Sequence, residues 1–148
     1  YCARSLDLPV VITRMGSAYG DHGGLPVMHL DDVAAGRPIQ TRWDPIPYSP
    51  IHDDDIARFV EPLLGSAGVP ANIVNFCGDD AVSVQEWAAW FGELLGVEHS
   101  IEVTPVPCAS RGSVGDPSKR QSITGPCTVP WREGFRRIAE HYHPERFQ

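Results

Sequence analysis

At 148 residues the chain has room for one hydrophobic core, built in one lobe or assembled from two. Its 42% hydrophobic and 21% charged residues are ordinary for a soluble globular protein. The net charge of −7 disfavours nucleic acid and anionic membrane as partners, and no apolar run approaches the roughly 20 residues of a membrane span.

No signal-peptide pattern is present, so the chain reads as cytoplasmic. Cys2, Cys77, Cys108 and Cys127 are far apart and form no CxxC pair. They read as scattered buried thiols of a reducing compartment, and no metal site is expected.

Tyr1 to Leu6 reads as the last turns of a helix that starts without a cap, which suggests sequence upstream. Val10, Val11 and Ile12 form a β-branched run bounded by Pro9, the pattern of a strand buried on both faces and ended by Arg14. Gly16, Ser17, Tyr19 and Gly20 follow as loop. The Gly20–Gly24 turn has the wrong spacing to cradle a phosphate. A helix is expected from Leu25 to Ala35, with Pro26 in its first turn and Gly36 ending it. Met28 and His29 or Val33 are its inward candidates.

Ile39 to Trp43 reads as a short strand, and Pro45, Pro47 and Pro50 make the next stretch a rigid extended loop carrying Tyr48. Ile56, Phe59, Val60, Leu63 and Leu64 recur at helical spacing behind His52-Asp53-Asp54-Asp55. The aspartates are placed to cap that helix and meet its dipole, and Pro62 is expected to kink or end it near Glu61. Adjacent residues at one helix start do not converge on a single ion.

Asn72 to Cys77 fits a buried strand. Ser83 and Glu86 form a capping box opening a helix whose stripe is Val84, Trp87, Ala88, Phe91, Leu94 and Leu95, with Gly96 past its end. Ser100 to Val106 suggests a strand, and Pro105 to Asp116 a loop. Asp116 and Lys119 read as fixing the start of a terminal element. The last helix begins near Pro130, with Trp131, Phe135, Ile138 and Tyr142 inside and Arg132, Arg136 and Arg137 in water. His141 and His143 flank its end and are expected in solvent. Strands alternating with helices indicate an α/β fold with some parallel pairing.

Five blocks, in order, resemble the extended short-chain dehydrogenase/reductase family, the NAD(P)-dependent epimerases and dehydratases. They are Leu8 to Gly20; Gly36-Arg37-Pro38-Ile39; Ile51-His52-x-x-Asp55-Ile56-Ala57; Asn75 with Gly78-Asp79 and Ser83-x-x-Glu86; and Asp116-x-Ser118-Lys119 with Gly125, Trp131 and Glu133-Gly134. The resemblance implies one domain over residues 1–148. That domain would be the C-terminal part of a Rossmann-like enzyme, a mixed sheet with a small substrate-binding lobe. It implies NAD or NADP as cofactor of the intact protein and a small-molecule substrate.

The family's GxxGxxG turn and Tyr-x-x-x-Lys pair have no counterpart here; four residues after Tyr1 stands Ser5. No catalytic residue is therefore assigned, and no cofactor binding is expected of this chain alone. By resemblance Gly16 and Ser17 touch the nicotinamide side of the cofactor, and Ser17 also the substrate. Tyr48 stands where sugar-nucleotide enzymes often carry a phosphate-binding arginine, which also admits a reductase acting on a thioester or aldehyde. Arg111 is the remaining candidate for an anionic substrate group. A standalone binding domain that kept the fold and lost the cofactor half is the alternative. A self-associating chain, or one paired with a missing N-terminal half, is expected from the sheet edge around Val10–Ile12.

Overall fold

The computed structural model describes residues 1–147. One helical turn, α1 (Cys2–Ser5), leads into β1 (Val11–Met15). β2 (Ser17–Gly20) and β3 (Gly23–Gly24) precede α2 (Leu25–Ala34), and β4 (Ile39–Thr41), β5 (Pro47–Tyr48) and β6 (Pro50–His52) precede α3 (Asp53–Gly65). β7 (Asn72–Phe76), β8 (Val82–Ser83), α4 (Val84–Leu95) and β9 (Ile101–Val103) follow. The chain closes with α5 (Ser118–Thr124), α6 (Trp131–Tyr142) and the 3-10 turn Pro144–Arg146. Among the described residues no helix is long and apolar enough to cross a membrane.

Pairing is mixed. β1 runs parallel to β7, β2 to β6 and β4 to β9, whereas β2–β3 and β5–β8 are antiparallel. The β1–β7 register sets Val11 opposite Asn72 and Met15 opposite Phe76, so both strands end on the same side of the molecule.

Two apolar clusters fill the interior. The larger joins α2, α4 and α6 through Leu30, Val33, Trp87, Phe91, Phe135 and Ile138, with Tyr19 from β2 among them. The smaller packs Phe59 and Leu63 of α3 against Val74 and Phe76 of β7 and Ile51 of β6. α4 is built as its sequence dictates. Ser83 Oγ accepts from the Glu86 N–H (3.1 Å), Glu86 accepts from the Ser83 N–H (2.8 Å), and Gly96 closes the helix at φ 64°.

The strand reading of Val10–Ile12 needs correction. β1 continues through Arg14 to Met15, and it is not buried on both faces: Ile12 keeps 46% and Met15 51% of its surface in water. Among the described residues β1 pairs only with β7, and the helix packed on this pair covers it through Val74 and Phe76. Ile12 and Ile73, opposite each other on the other side, remain exposed.

α3 also departs from expectation. It passes through Pro62 to Gly65, held by Phe59 and Leu63, which are sealed from solvent on either side of the proline. Its N-cap is His52, whose Nδ1 accepts from the Asp54 N–H (3.1 Å), rather than an aspartate. In α2, His29 and Val33 point inward and Met28 does not. Tyr48 lies in a short strand instead of a loop. Cys2 and Cys108 are exposed, not buried. His143 does not stand free in water; its Nε2 lies 2.9 Å from Asp31 Oδ1.

Candidate functional site

The parallel strands β1 and β7 deliver Gly16 and Cys77 side by side at their carboxyl ends, where ligands bind in α/β sheets. The Gly16 N–H donates to Phe76 O (2.8 Å). A Cβ on Gly16 would lie 2.9 Å from Cys77 Cβ and 3.0 Å from Ser49 O, so glycine is required there by chain packing. A first cleft of about 180 Å³ opens at this point, lined by Arg14, Gly16, Asn75, Cys77, Ser113 and Gly115 among others. Asn75 is oriented by donating its amide to Asp116 O (3.1 Å). Burial pushes the Cys77 thiol up, so it faces the cleft neutral. Ser17 opens β2, half-buried and paired with Pro50, and does not line this cleft.

A second cleft of about 190 Å³ lies on the other side of the Pro47–Ser49 stretch. Leu25, His29, Thr41, Arg42, Tyr48 and Ser110 contribute to its walls. The Tyr48 ring stacks on Trp87, with centroids 5.7 Å apart and planes at 16°. Trp87 in turn donates its indole N–H to His29 Nδ1 (3.0 Å).

Residues 109–115 border both clefts. The Ser113 N–H donates to Pro47 O (2.9 Å), and the Ser49 N–H to Ser113 O (3.2 Å). The Gly115 N–H reaches Ser49 Oγ (3.3 Å). Gly112, at φ +124°, presses against Pro47 O where a side chain would collide. Arg111 is exposed, its guanidinium 4.4 Å from the centre of the Trp43 ring, and Trp43 anchors the segment by donating Nε1–H to Ala109 O (3.2 Å). The structure thus brings Tyr48 and the Arg111-bearing segment together, with Gly16 across the intervening strand.

Two acids that the sequence places only at a helix start and in a turn make tight contacts, Asp55 buried and Asp79 half-buried. Asp55 is fully buried at the start of α3. It accepts from the N–H groups of Thr128 (2.9 Å) and Val129 (3.0 Å), the Thr128 hydroxyl (2.8 Å) and Arg58 (3.1 Å). Burial pushes its carboxyl up, but those donors outweigh burial and hold it below the usual carboxylate range. Asp79 accepts from the Cys127 N–H (2.8 Å) and pairs with Arg120, which is wholly buried against the Phe59 ring. Burial pushes the Cys127 thiol to about 12, which keeps it neutral. These groups stitch residues 127–129 in place. Among the described residues no group of His, Cys, Asp and Glu is arranged to hold a metal ion.

No protein-family model matches the sequence, and no curated protein matches it. Solved structures do. The UDP-glucose 4-epimerase of Thermus thermophilus, in complex with NAD, superposes with TM-score 0.78 at 23% identity, over 95% of this chain and 49% of its own. The dTDP-glucose 4,6-dehydratase of Bacillus anthracis, also with NAD, gives 0.80 at 18% identity over 96% and 47%. This chain has the fold of about half of an extended short-chain dehydrogenase. The UDP-glucose 4-epimerase of Thermotoga maritima, solved with UDP-glucose, agrees at TM-score 0.78 and 18% identity over 97% of this chain and 48% of its own. The chain spans about half the length of these structures, and the dehydrogenase fold accounts for its parallel β1–β7 pair and mixed sheets.

Proposed function

We propose that the chain is the substrate-binding, C-terminal portion of an NAD(P)-dependent epimerase, dehydratase or reductase that handles a small molecule in the cytoplasm. The observation that carries this reading is the cleft at the shared carboxyl ends of β1 and β7, continued past Tyr48 by a second cleft under the same 109–115 segment. An elongated substrate would place its reacting carbon at the first cleft, near Gly16 and Asn75, and its distal group beside Tyr48 and Arg111.

The first cleft is smaller than the roughly 300–1,000 Å³ of pockets that enclose a whole ligand. It fits one end of a cofactor or substrate, with Arg14 and Asn75 supplying hydrogen bonds. NAD(P), when bound, supplies hydride acceptance and return at a carbinol or carbonyl carbon. The residues here bind and orient; the phosphate-cradling turn and the Tyr-x-x-x-Lys pair belong upstream.

Calorimetric titration of this chain alone with NAD and NADP is expected to show no saturable heat. The gene read further upstream is expected to encode both missing motifs, and the longer product to bind the cofactor. Micromolar binding by this chain alone, or a longer product lacking both motifs, counts against the proposal.

The exposed apolar side chains Ile12, Met15, Ile73, Val60 and Leu64 lie around the β1 edge. We propose that this surface pairs with the missing half or, in the isolated chain, with a second copy. Light scattering across a concentration series should show self-association. A strictly monomeric species with β1 amides protected from hydrogen exchange would refute it.

A further inference from the structure

We propose that His29 is a specificity-determining residue of the cleft beside Tyr48, donating its Nε2–H to an oxyanion, a carboxylate or phosphate, on the molecule bound there. The inference rests on reading that cleft as part of the substrate site. An indole N–H donates and never accepts. Trp87 is sealed in the core, and its Nε1–H lies 3.0 Å from His29 Nδ1, so Nδ1 is the acceptor and carries no proton. The neutral imidazole therefore holds its proton on Nε2. Burial disfavours the doubly protonated ring. The tautomer is fixed by a partner that cannot turn away, and on this cleft-lining residue Nε2, with no partner among the described residues, is left as a donor only.

The other groups on the same walls point to the same ligand chemistry. Arg42 is a cation and donates only. Thr41 keeps only 6% of its surface in water, and its hydroxyl has no partner among the described residues. Ser110 is already spent, donating to Gly112 O (2.8 Å) and accepting from the Gly112 N–H (3.3 Å). The unmatched groups are thus a fixed imidazole N–H, a guanidinium and a hydroxyl. A group rich in acceptors and negatively charged satisfies all three; an ammonium or a donor-only group could pair only with the Thr41 hydroxyl.

Long-range proton–nitrogen spectra of the nitrogen-15-labelled chain are expected to show His29 as the Nε2-protonated tautomer, assigned by its loss in His29→Gln. Separate titrations with acetate and inorganic phosphate should saturate the His29 ring signals, and the tighter of the two identifies carboxylate or phosphate. His29→Phe, followed by the shifts of neighbouring backbone amides, should weaken that binding roughly tenfold or more. His29→Gln, whose carboxamide accepts from Trp87 and still presents an N–H, should stay within about threefold of the native chain.

An Nδ1-protonated or doubly protonated His29 in the native chain overturns the inference whatever the variants do. So does saturation unchanged in a folded His29→Phe, or no saturation by either anion. None of these readouts depends on cofactor turnover, so a failed cofactor test of the longer protein leaves them independent.

Discussion

Asp55→Ala is expected to destabilise the chain by about 3–5 kcal/mol, the cost of removing a fully buried carboxylate from its ion pair with Arg58 and from the buried Val129 N–H. The Thr128 and Val129 N–H groups would lose this acceptor, and Arg58 would keep, among the described residues, only the carbonyls of Pro126 and Thr124. Urea unfolding monitored by tryptophan fluorescence measures the loss; a change below about 1 kcal/mol would show that water replaces the carboxylate. The same carboxylate sets an acid limit. Its pKa in the fold lies below the unfolded value, as does that of Asp79, where hydrogen bonds and Arg120 outweigh burial. The unfolded chain binds more protons in that window. The stabilisation is therefore complete above the ordinary carboxylate value of about 4 and is lost as pH falls through the folded values. Asp55→Asn should flatten that acid-side decline.

Phe91→Ala should cost a comparable amount, about 3–5 kcal/mol. Phe91 is fully buried on α4 and stacks on Phe135 of α6 with ring centroids 5.1 Å apart. Truncation leaves a void between two helices that are also held by Trp87, which limits how far they can close. Phe91→Leu retains most of the volume and should cost much less. Equal effects from the two substitutions would mean that ring geometry, rather than filled space, matters at this position.

The parts legible in the sequence were those whose causes lie within a few residues. Ser83, Glu86 and Gly96 act inside single turns, so both ends of α4 and its buried stripe followed directly from the order of residues. The order of the longer strands and helices was legible for the same reason, and the α/β class with it, whereas β2 and β5 were read as loop and the two-residue β8 was not seen. Burial of β1 was not, because apolarity says that a strand tolerates covering, and the covering comes from β7 and α3 far along the chain. The start of α5 was legible in Asp116, which accepts from the Ser118 N–H (2.9 Å), but its seven residues carry no helical apolar stripe, so the helix itself was not.

The site shows the same division. Tyr48 and Arg111 were singled out by position, and the structure places Tyr48 on the wall of the second cleft and Arg111 on the segment beside it. His29 stood as one of several inward candidates on α2. Its role depends on Trp87, 58 residues away, and no local pattern encodes that meeting. Asp55 was read as one of three equivalent acids at a helix start; its partners lie 73 and 74 residues further on.

The stitched residues 127–129 join α5, which packs on α3 and β7 beside the smaller apolar cluster, to α6, which lies in the larger one. Asp79 and Asp55 hold that joint from the side of the smaller cluster. Melting either cluster frees the joint and exposes two carboxylates and Arg120 together. The halves are thereby tied to a common fate: the chain should unfold in a single cooperative transition, with the same midpoint by far-ultraviolet dichroism and by fluorescence.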